Sequence, residues 1–213
     1  MVSFGDTKVL CTASVAPEVP RFLQDTGSGW ITAEYAMLPG STGGGRKRRE
    51  LMKRDGRSVE IQRLIGRSLR SSVRLDRLGP VSVTIDCDVI QADGGTRTAA
   101  ITGGWVALYD ALREIARQQG AESPEYYVAG QTAAVSVGIF RGAIICDLDY
   151  EHDSQAEVDM NVVMCNDAFV EVQGTGEQGV FSRKDLDAML DAAETGIKAI
   201  FAGQNEALGR NVT

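Results

Sequence analysis

Hydrophobic and polar positions along the chain follow two repeats, one typical of helices and one typical of strands. Apolar residues recur at helical spacing in three stretches, at about 58–73, 98–119 and 183–202. Alternating or β-branched runs predict strands and hairpins at about 8–15, 30–36, 81–90, 134–148 and 160–173. The order along the chain is β-rich, helix, β, helix, β-rich, helix. This order predicts an α+β fold with hairpins rather than a strictly doubly wound sheet.

Length and composition predict one globular unit. A chain of 213 residues can bury a proper core, so we expect a single domain over 1–213, made of one body or two closely packed halves. No apolar run is long enough to span a bilayer, and the first residues lack the pattern of a secretory signal. We therefore expect a cytoplasmic protein without a membrane partner. The four cysteines are scattered and the chain has one histidine, which argues against a disulfide framework or a zinc site.

The net charge of −7 conceals a strong asymmetry. Residues 41–77 hold 12 of the 22 lysines and arginines against 4 acidic residues, a local balance of +8, so the rest of the chain sums to −15. A basic segment of this kind favours a polyanion partner, with a solvated helix face as the alternative. Its first part is a basic run after three glycines, suited to following an RNA backbone: Arg46, Lys47, Arg48 and Arg49.

A candidate phosphate site lies between the strand at 81–90 and the helix at 98–119. The segment 93–98 reads Asp-Gly-Gly-Thr-Arg-Thr. Two glycines allow the backbone to approach a ligand closely, and the free N–H groups at a helix start attract an anion. Arg97 adds a fork of donors that matches phosphate oxygens, and Arg57, just before the first predicted helix, could supply the other side of the site. The alternative is an ordinary helix cap with a solvent-facing arginine.

A candidate metal site lies in an acidic segment. Six carboxylates occur between 147 and 159, and no lysine or arginine occurs between 142 and 182. Carboxylates at this density repel one another unless they are solvated or bridged by a cation, and oxygen ligands suit Mg²⁺ or Mn²⁺. An exposed acidic loop is the alternative. His152 lies in the same segment without an identifiable nucleophile partner, so we interpret it as incidental.

Taken together, these segments resemble the ribonuclease PH family, the phosphorolytic RNA nucleases that mature tRNA 3′ ends. The resemblance runs along essentially the whole chain. It is carried most specifically by the residues 4–12, 29–35, 60–65, 91–99, 153–154 and 159–163. The fold that it implies is the β-α-β-α fold of ribosomal protein S5 domain 2, with mixed sheets. The assembly that it implies is a homo-hexamer built as a trimer of dimers.

The resemblance also implies a reaction and a set of site residues. Orthophosphate would attack the last phosphodiester of a tRNA precursor and release a nucleoside diphosphate, and the reverse reaction would add nucleotides. The implied phosphate pocket consists of Arg57, Gly95, Thr96, Arg97 and Thr98. Asp153 and Asp159 would hold Mg²⁺ or Mn²⁺ and, with Arg97, would be the catalytic residues. The RNA contacts would come from Arg46, Lys47, Arg48 and Arg49.

Members of the family carry a segment before the position of Met1. The first arm of the opening hairpin, ending at Phe4, is short beside the arm at 8–15, so we expect an incomplete first strand. Three alternatives to the phosphorolytic reading stay open from the residues. They are a hydrolytic metal-dependent ribonuclease, a non-catalytic RNA-binding subunit of an exosome-like ring, and a ribosome-associated binding module of similar fold.

Overall fold

The first half of the protein is built on a mixed four-stranded sheet. The structure is a computed structural model that describes residues 1–46 and 55–210. The strands are β1 (Val2–Phe4), β2 (Thr7–Ala16), β3 (Trp30–Met37) and β4 (Ser82–Gln91), in the order β1-β2-β4-β3. Strand β3 runs parallel to β4, and the other pairs are antiparallel. The parallel pair is possible because a helix crosses over between the two strands.

The second half is built on an antiparallel four-stranded sheet. Its strands are β5 (Thr132–Phe140), β6 (Ala143–Cys146), β7 (Val158–Cys165) and β8 (Ala168–Gly176), in the order β6-β5-β7-β8. Strand β5 is buried along most of its length, because helices cover both of its faces. The sheet therefore has an apolar inner layer at its centre and a more exposed strand, β8, at one edge.

Helices join the two sheets into layers. The helices are α1 (Gly56–Arg70), α2 (Leu75–Leu78), α3 (Thr96–Gln119), α4 (Tyr150–Asp153) and α5 (Arg183–Ala207). Helix α3 packs against β2 and β4 on one side and against β5 on the other, α1 covers β3, and α5 covers β5 and β6. One apolar core lies around α3, and a second lies between α5 and the antiparallel sheet. No helix in the described part of the chain is long and apolar enough to cross a membrane.

The predicted elements agree with the structure in type and approximate position. The α+β class with mixed sheets is confirmed, and each of the three predicted long helices is present. The opening hairpin has the predicted short first arm, since β1 pairs only with Thr7–Val9 of β2. The short helices α2 and α4 were not predicted, because a single turn has no recognisable period. The single-domain boundary of 1–213 stays a prediction.

Candidate active site

The candidate site is an open cleft of about 1600 Å³ at the junction of the two sheets. One wall is formed by the turn between β4 and α3 and by the start of α1. The rest of the lining comes mainly from α4 and from strands β7 and β8. All the predicted phosphate-site and metal-site residues except Thr98 line this cleft. They are Arg57, Gly95, Thr96, Arg97, Asp153 and Asp159. The structure therefore brings together residues that lie up to 102 positions apart in the sequence.

The turn before α3 is held in a shape that requires glycine. Gly94 and Gly95 have φ angles of +74° and +53°, in the left-handed region. A Cβ on Gly94 would collide with the carbonyl oxygen of Leu148 and would lie 2.9 Å from Cα of Asp149. The turn and the segment that leads into α4 are therefore in direct backbone contact. This contact fixes the turn that carries the predicted phosphate-binding residues against the segment that leads to Asp153.

Hydroxyl groups fix the same turn from behind. Thr7 Oγ1 donates to the carbonyl of Gly94 at 2.6 Å and accepts from the N–H of Asp93 at 2.7 Å. Thr98 Oγ1 donates to the carbonyl of Gly95 at 2.8 Å, and the hydroxyl of Thr96 lies 2.8 Å from that of Tyr35. Thr98 is thus buried beneath the turn and holds it, while the backbone start of α3 faces the cleft.

Arg57 and Arg97 approach the cleft from two different helices. Arg97, in the first turn of α3, has a side chain only 19% exposed, and its Nη1 lies 3.5 Å from Glu60 and 3.4 Å from the side-chain oxygen of Gln173. Arg57 lies in the first turn of α1, where its N–H donates to the capping carboxylate of Asp55 at 3.4 Å. Both guanidinium groups lower the pKa of Asp153 against the larger effect of burial, so both act on the same carboxylate. The guanidinium groups of Arg57 and Arg97 and the N-termini of α1 and α3 thus face the same part of the cleft.

Asp153 and Asp159 form the acidic side of the cleft. Asp153 ends α4 and Asp159 lies on β7, and both are partly buried. Burial raises the pKa of both carboxyl groups, and for Asp159 the charge of Asp153 raises it further, to about 6. Asp159 Oδ1 is buried and has no hydrogen-bond partner among the residues that the structure describes. A carboxylate in this situation is stabilised by a cation.

The donor set fits a magnesium-type ion bound mainly through water and substrate. No group of three or more histidine, cysteine, aspartate or glutamate side chains that could hold a metal occurs in residues 1–46 and 55–210. Mg²⁺ is commonly bound by one or two carboxylates together with waters and phosphate oxygens, so two aspartates beside a phosphate site suffice. The orphaned oxygen of Asp159 is the observation that favours such an ion over a mere acidic surface.

The other carboxylates of the acidic segment have separate roles. Asp149 caps α4 by accepting from the N–H of His152 at 2.9 Å, and it also lies 2.7 Å from Nδ1 of the same histidine. Glu157 accepts from the N–H of Gly142 at 3.2 Å. The His152 ring packs edge-on against Phe140 and is not among the residues that line the cleft. Asp153 and Asp159 of the acidic segment thus line the cleft, whereas Asp149 and Glu157 form contacts that hold the local structure.

The predicted RNA-contacting run is only partly described. Arg46 is exposed and lines the cleft beside Gly43, Gly44 and Gly45. Lys47, Arg48 and Arg49 lie outside the described residues. The described end of the run thus borders the cleft.

Sequence reasoning did not identify several other residues of the cleft. They are Ser136, Tyr150, Asn161 and Gln173. Ser136, Asn161 and Gln173 lie at paired positions of β5, β7 and β8, so they form one polar row across the sheet. A polar side chain at alternating positions of a buried strand was a usable signal for Ser136 and Asn161. Nothing in the local sequence marked Tyr150.

Comparisons with known proteins identify the family. The chain matches the 3′ exoribonuclease family, domain 1, over residues 1–114 and domain 2 of the same family over residues 130–196. This chain belongs to that family. It is 56% identical to the ribonuclease PH of Synechococcus sp. strain JA-2-3B'a(2-13) over 211 residues, which cover 98% of this chain and 86% of the relative. It is 55% identical to the ribonuclease PH of Corynebacterium diphtheriae over 210 residues, with the same coverage of both chains. The resemblance drawn from the sequence is confirmed.

Solved structures share the fold of this chain. Rice Rrp46 superposes with a TM-score of 0.74 at 17% identity, covering 97% of this chain and 86% of Rrp46. The Archaeoglobus fulgidus exosome with RNA bound to the active site gives a TM-score of 0.73 at 20% identity, covering 94% and 80%. At these identities the likeness shows the fold, which is the one expected from the family.

Proposed function

We propose that this protein is a phosphate-dependent 3′→5′ exoribonuclease and nucleotidyltransferase that trims the 3′ ends of tRNA precursors. The family membership supports phosphate-dependent action on RNA. The observation that carries the proposal for this chain is the convergence of Arg57, Arg97 and the start of α3 on the space that Asp153 and Asp159 also face.

The phosphate ion would lie between the two arginines. Arg57 and Arg97 supply planar forks for its oxygens, and the N–H groups that begin α3 after Gly95 point to the same cleft. Glu60 and Gln173 both contact Nη1 of Arg97, so its guanidinium is oriented before the anion arrives. An oxygen of the bound phosphate attacks the phosphorus of the last linkage. The bond from phosphorus to the 3′-oxygen of the preceding nucleotide breaks, and a nucleoside diphosphate leaves.

Asp153 and Asp159 would hold the divalent ion, Mg²⁺ or Mn²⁺. Bound there, the ion would neutralise the charge that accumulates on the transferring phosphoryl group and on the leaving 3′-oxygen. The two arginines and the two aspartates would then act on the same linkage, since all four line one cleft. Phosphate itself is the nucleophile, so the chemistry requires no activated serine, cysteine or histidine.

The RNA strand would approach along the basic segment. Arg46 borders the cleft, and the run Arg46 to Arg49 supplies charge that binds phosphates without regard to sequence. Assembly as a homo-hexamer, a trimer of dimers, belongs to the same proposal. Its support is the family resemblance, together with the likeness to proteins described as exosome components. A cytoplasmic location stays a prediction.

The identity of the product tests the proposal. The protein is incubated with Mg²⁺ and a tRNA that carries extra 3′ nucleotides, with and without orthophosphate. We expect nucleoside diphosphates that appear only with phosphate. Nucleoside monophosphates formed without phosphate would support a hydrolytic nuclease instead, and RNA binding with no product at all would support a non-catalytic ring subunit.

A further inference from the structure

An exposed tyrosine stands at the edge of the cleft without an evident structural task. Tyr150 is 66% exposed and lines the cleft. It is the one aromatic residue among the described residues of the cleft lining. Within residues 1–46 and 55–210, no hydrogen bond, ion pair or ring stacking holds its side chain. A large aromatic ring that is kept in water at the wall of a binding cleft is available to a ligand.

The backbone of Tyr150 is fixed although its ring is free. Its N–H donates to Oδ1 of Asp93 at 3.3 Å, in the turn that leads to the phosphate-binding start of α3. The two residues before it pack directly on Gly94, where not even a Cβ would fit. The position of the ring's Cα is therefore fixed. Its backbone is bonded to the turn before α3, and its helix also carries Asp153.

The position of Tyr150 on α4 sets which part of a substrate it can reach. Tyr150 and Asp153 are three residues apart on one helical turn, which places their Cβ atoms about 5–6 Å from each other. Asp153 faces the linkage that is cut. The base nearest to that linkage on the product side belongs to the 3′-terminal nucleotide, whose own phosphate is the one attacked. The ring of Tyr150 is thus within reach of the terminal base.

We propose that Tyr150 stacks on the base of the 3′-terminal nucleotide and holds that nucleotide for phosphorolysis. The inference rests on the proposed function and adds a binding residue to it. Stacking suits an enzyme that removes any nucleotide, because every base presents a π-face. The polar lining around the tyrosine contacts sugar and phosphate, and the aromatic ring is the part of the described cleft that suits a base.

A thermodynamic cycle that combines a change in the protein with a change in the RNA tests the proposal. The activity of wild type and Tyr150→Leu is measured with intact RNA, with RNA whose terminal nucleotide lacks its base, and with RNA whose penultimate nucleotide lacks its base. On intact RNA, we expect Tyr150→Leu to lower kcat/KM about 5- to 150-fold, the range that corresponds to about 1–3 kcal/mol of stacking per base. We expect the loss of the terminal base to lower kcat/KM of wild type by a similar factor. On that terminal abasic RNA, Tyr150→Leu should then have nearly the same kcat/KM as wild type.

Controls separate stacking from a structural effect. Tyr150→Phe keeps the ring, so we expect its kcat/KM to depend on the terminal base nearly as strongly as that of wild type. Tyr126→Leu removes another half-exposed tyrosine, outside the cleft lining, and should leave kcat/KM unchanged. The melting temperature of Tyr150→Leu should stay close to that of wild type, because the side chain is mostly exposed and no hydrogen bond, ion pair or ring contact holds it in the described structure.

Two results would overturn the proposal. In the first, Tyr150→Leu lowers kcat/KM on the terminal abasic RNA by the same factor as on intact RNA. In the second, the effect of Tyr150→Leu becomes smaller only with the penultimate abasic RNA. Either result would show that Tyr150 does not stack on the terminal base. Either result with an active wild type would leave the proposed function intact. A wild type that forms no phosphate-dependent product would overturn the proposed function and this inference with it.

Discussion

Burial, and after it the neighbouring carboxylate of Asp153, raises the pKa of Asp159 to about 6. The protein thus keeps a carboxyl group where its charge is disfavoured, and a buried oxygen of that group has no partner in the described part of the chain. Such an arrangement costs folding stability when the carboxyl group is ionised, and a bound cation would offset that cost. This relationship connects the stability of the protein to its proposed chemistry.

The first prediction concerns the stability of the metal-free protein. Because the folded-state pKa of Asp159 is raised, the native state holds a proton that the unfolded chain releases between about pH 4 and pH 6. Ionised Asp159 therefore lowers the free energy of unfolding above about pH 6, and protonated Asp159 does not lower it at acidic pH. With EDTA present, we expect Asp159→Asn to melt several degrees above wild type at pH 8 and at nearly the same temperature at pH 4.

Differential scanning calorimetry at the two pH values measures this effect. Asp167→Asn, in the exposed turn between β7 and β8, is the matched control and should change the melting temperature little at either pH. A stabilisation of Asp159→Asn that is equal at both pH values would show that charge is not the cause.

The second prediction separates phosphate binding from RNA binding. Arg97→Ala removes a donor fork aimed at the proposed anion, so phosphate-dependent release should fall by about 10²–10³-fold. RNA affinity should stay within a few-fold, because the basic run at 46–49 is unchanged. Arg183→Ala, at the exposed start of α5, serves as the control. Equal losses of turnover and RNA affinity in Arg97→Ala would contradict the assignment.

The third prediction concerns the divalent ion. We expect Mg²⁺ to raise the melting temperature of wild type, since a ligand that binds only the native state stabilises it. Asp153→Asn should lose both this shift and the turnover, while RNA binding measured in EDTA is retained. An undiminished turnover in Asp153→Asn would remove the carboxylate from the mechanism.

The fourth prediction uses two glycines with the same backbone angle. Gly94 and Gly142 have φ angles of +74° and +75°, but a Cβ would collide with the Leu148 carbonyl at Gly94 and would meet open space at Gly142. Gly142→Ala should cost only the backbone strain, about 1 kcal/mol. Gly94→Ala should cost distinctly more in urea denaturation and should also lower turnover, because the turn and α4 are pushed apart. Equal costs would mean that the close approach does not matter.

The sequence predicted the elements better than it predicted their arrangement. Apolar periodicity identified the three long helices and the main strands, because burial on one face imposes that period. The parallel pairing of β3 with β4 and the position of α3 between the sheets depend on contacts between distant segments, which no local pattern encodes.

The candidate site was predictable where chemistry is concentrated in a short segment. The Gly-Gly-Thr-Arg turn was visible as a motif, and the acidic segment was visible as a cluster of carboxylates. The family resemblance selected Asp153 and Asp159 from that cluster and connected them to the turn. Tyr150 and Gln173 were not visible, because each lies in the cleft only through packing of its own strand or helix against a distant turn. Local pattern alone could not divide the acidic segment into cleft and structural carboxylates, and the choice of Asp153 and Asp159 came from the family resemblance.

The most direct test of the central claim is the crystal structure of the protein with orthophosphate, Mg²⁺ and a short RNA. We expect one phosphate ion bound between the guanidinium groups of Arg57 and Arg97 and the first N–H groups of α3, facing the last linkage of the RNA. A phosphate bound elsewhere, with the two arginines directed into different surroundings, would contradict it.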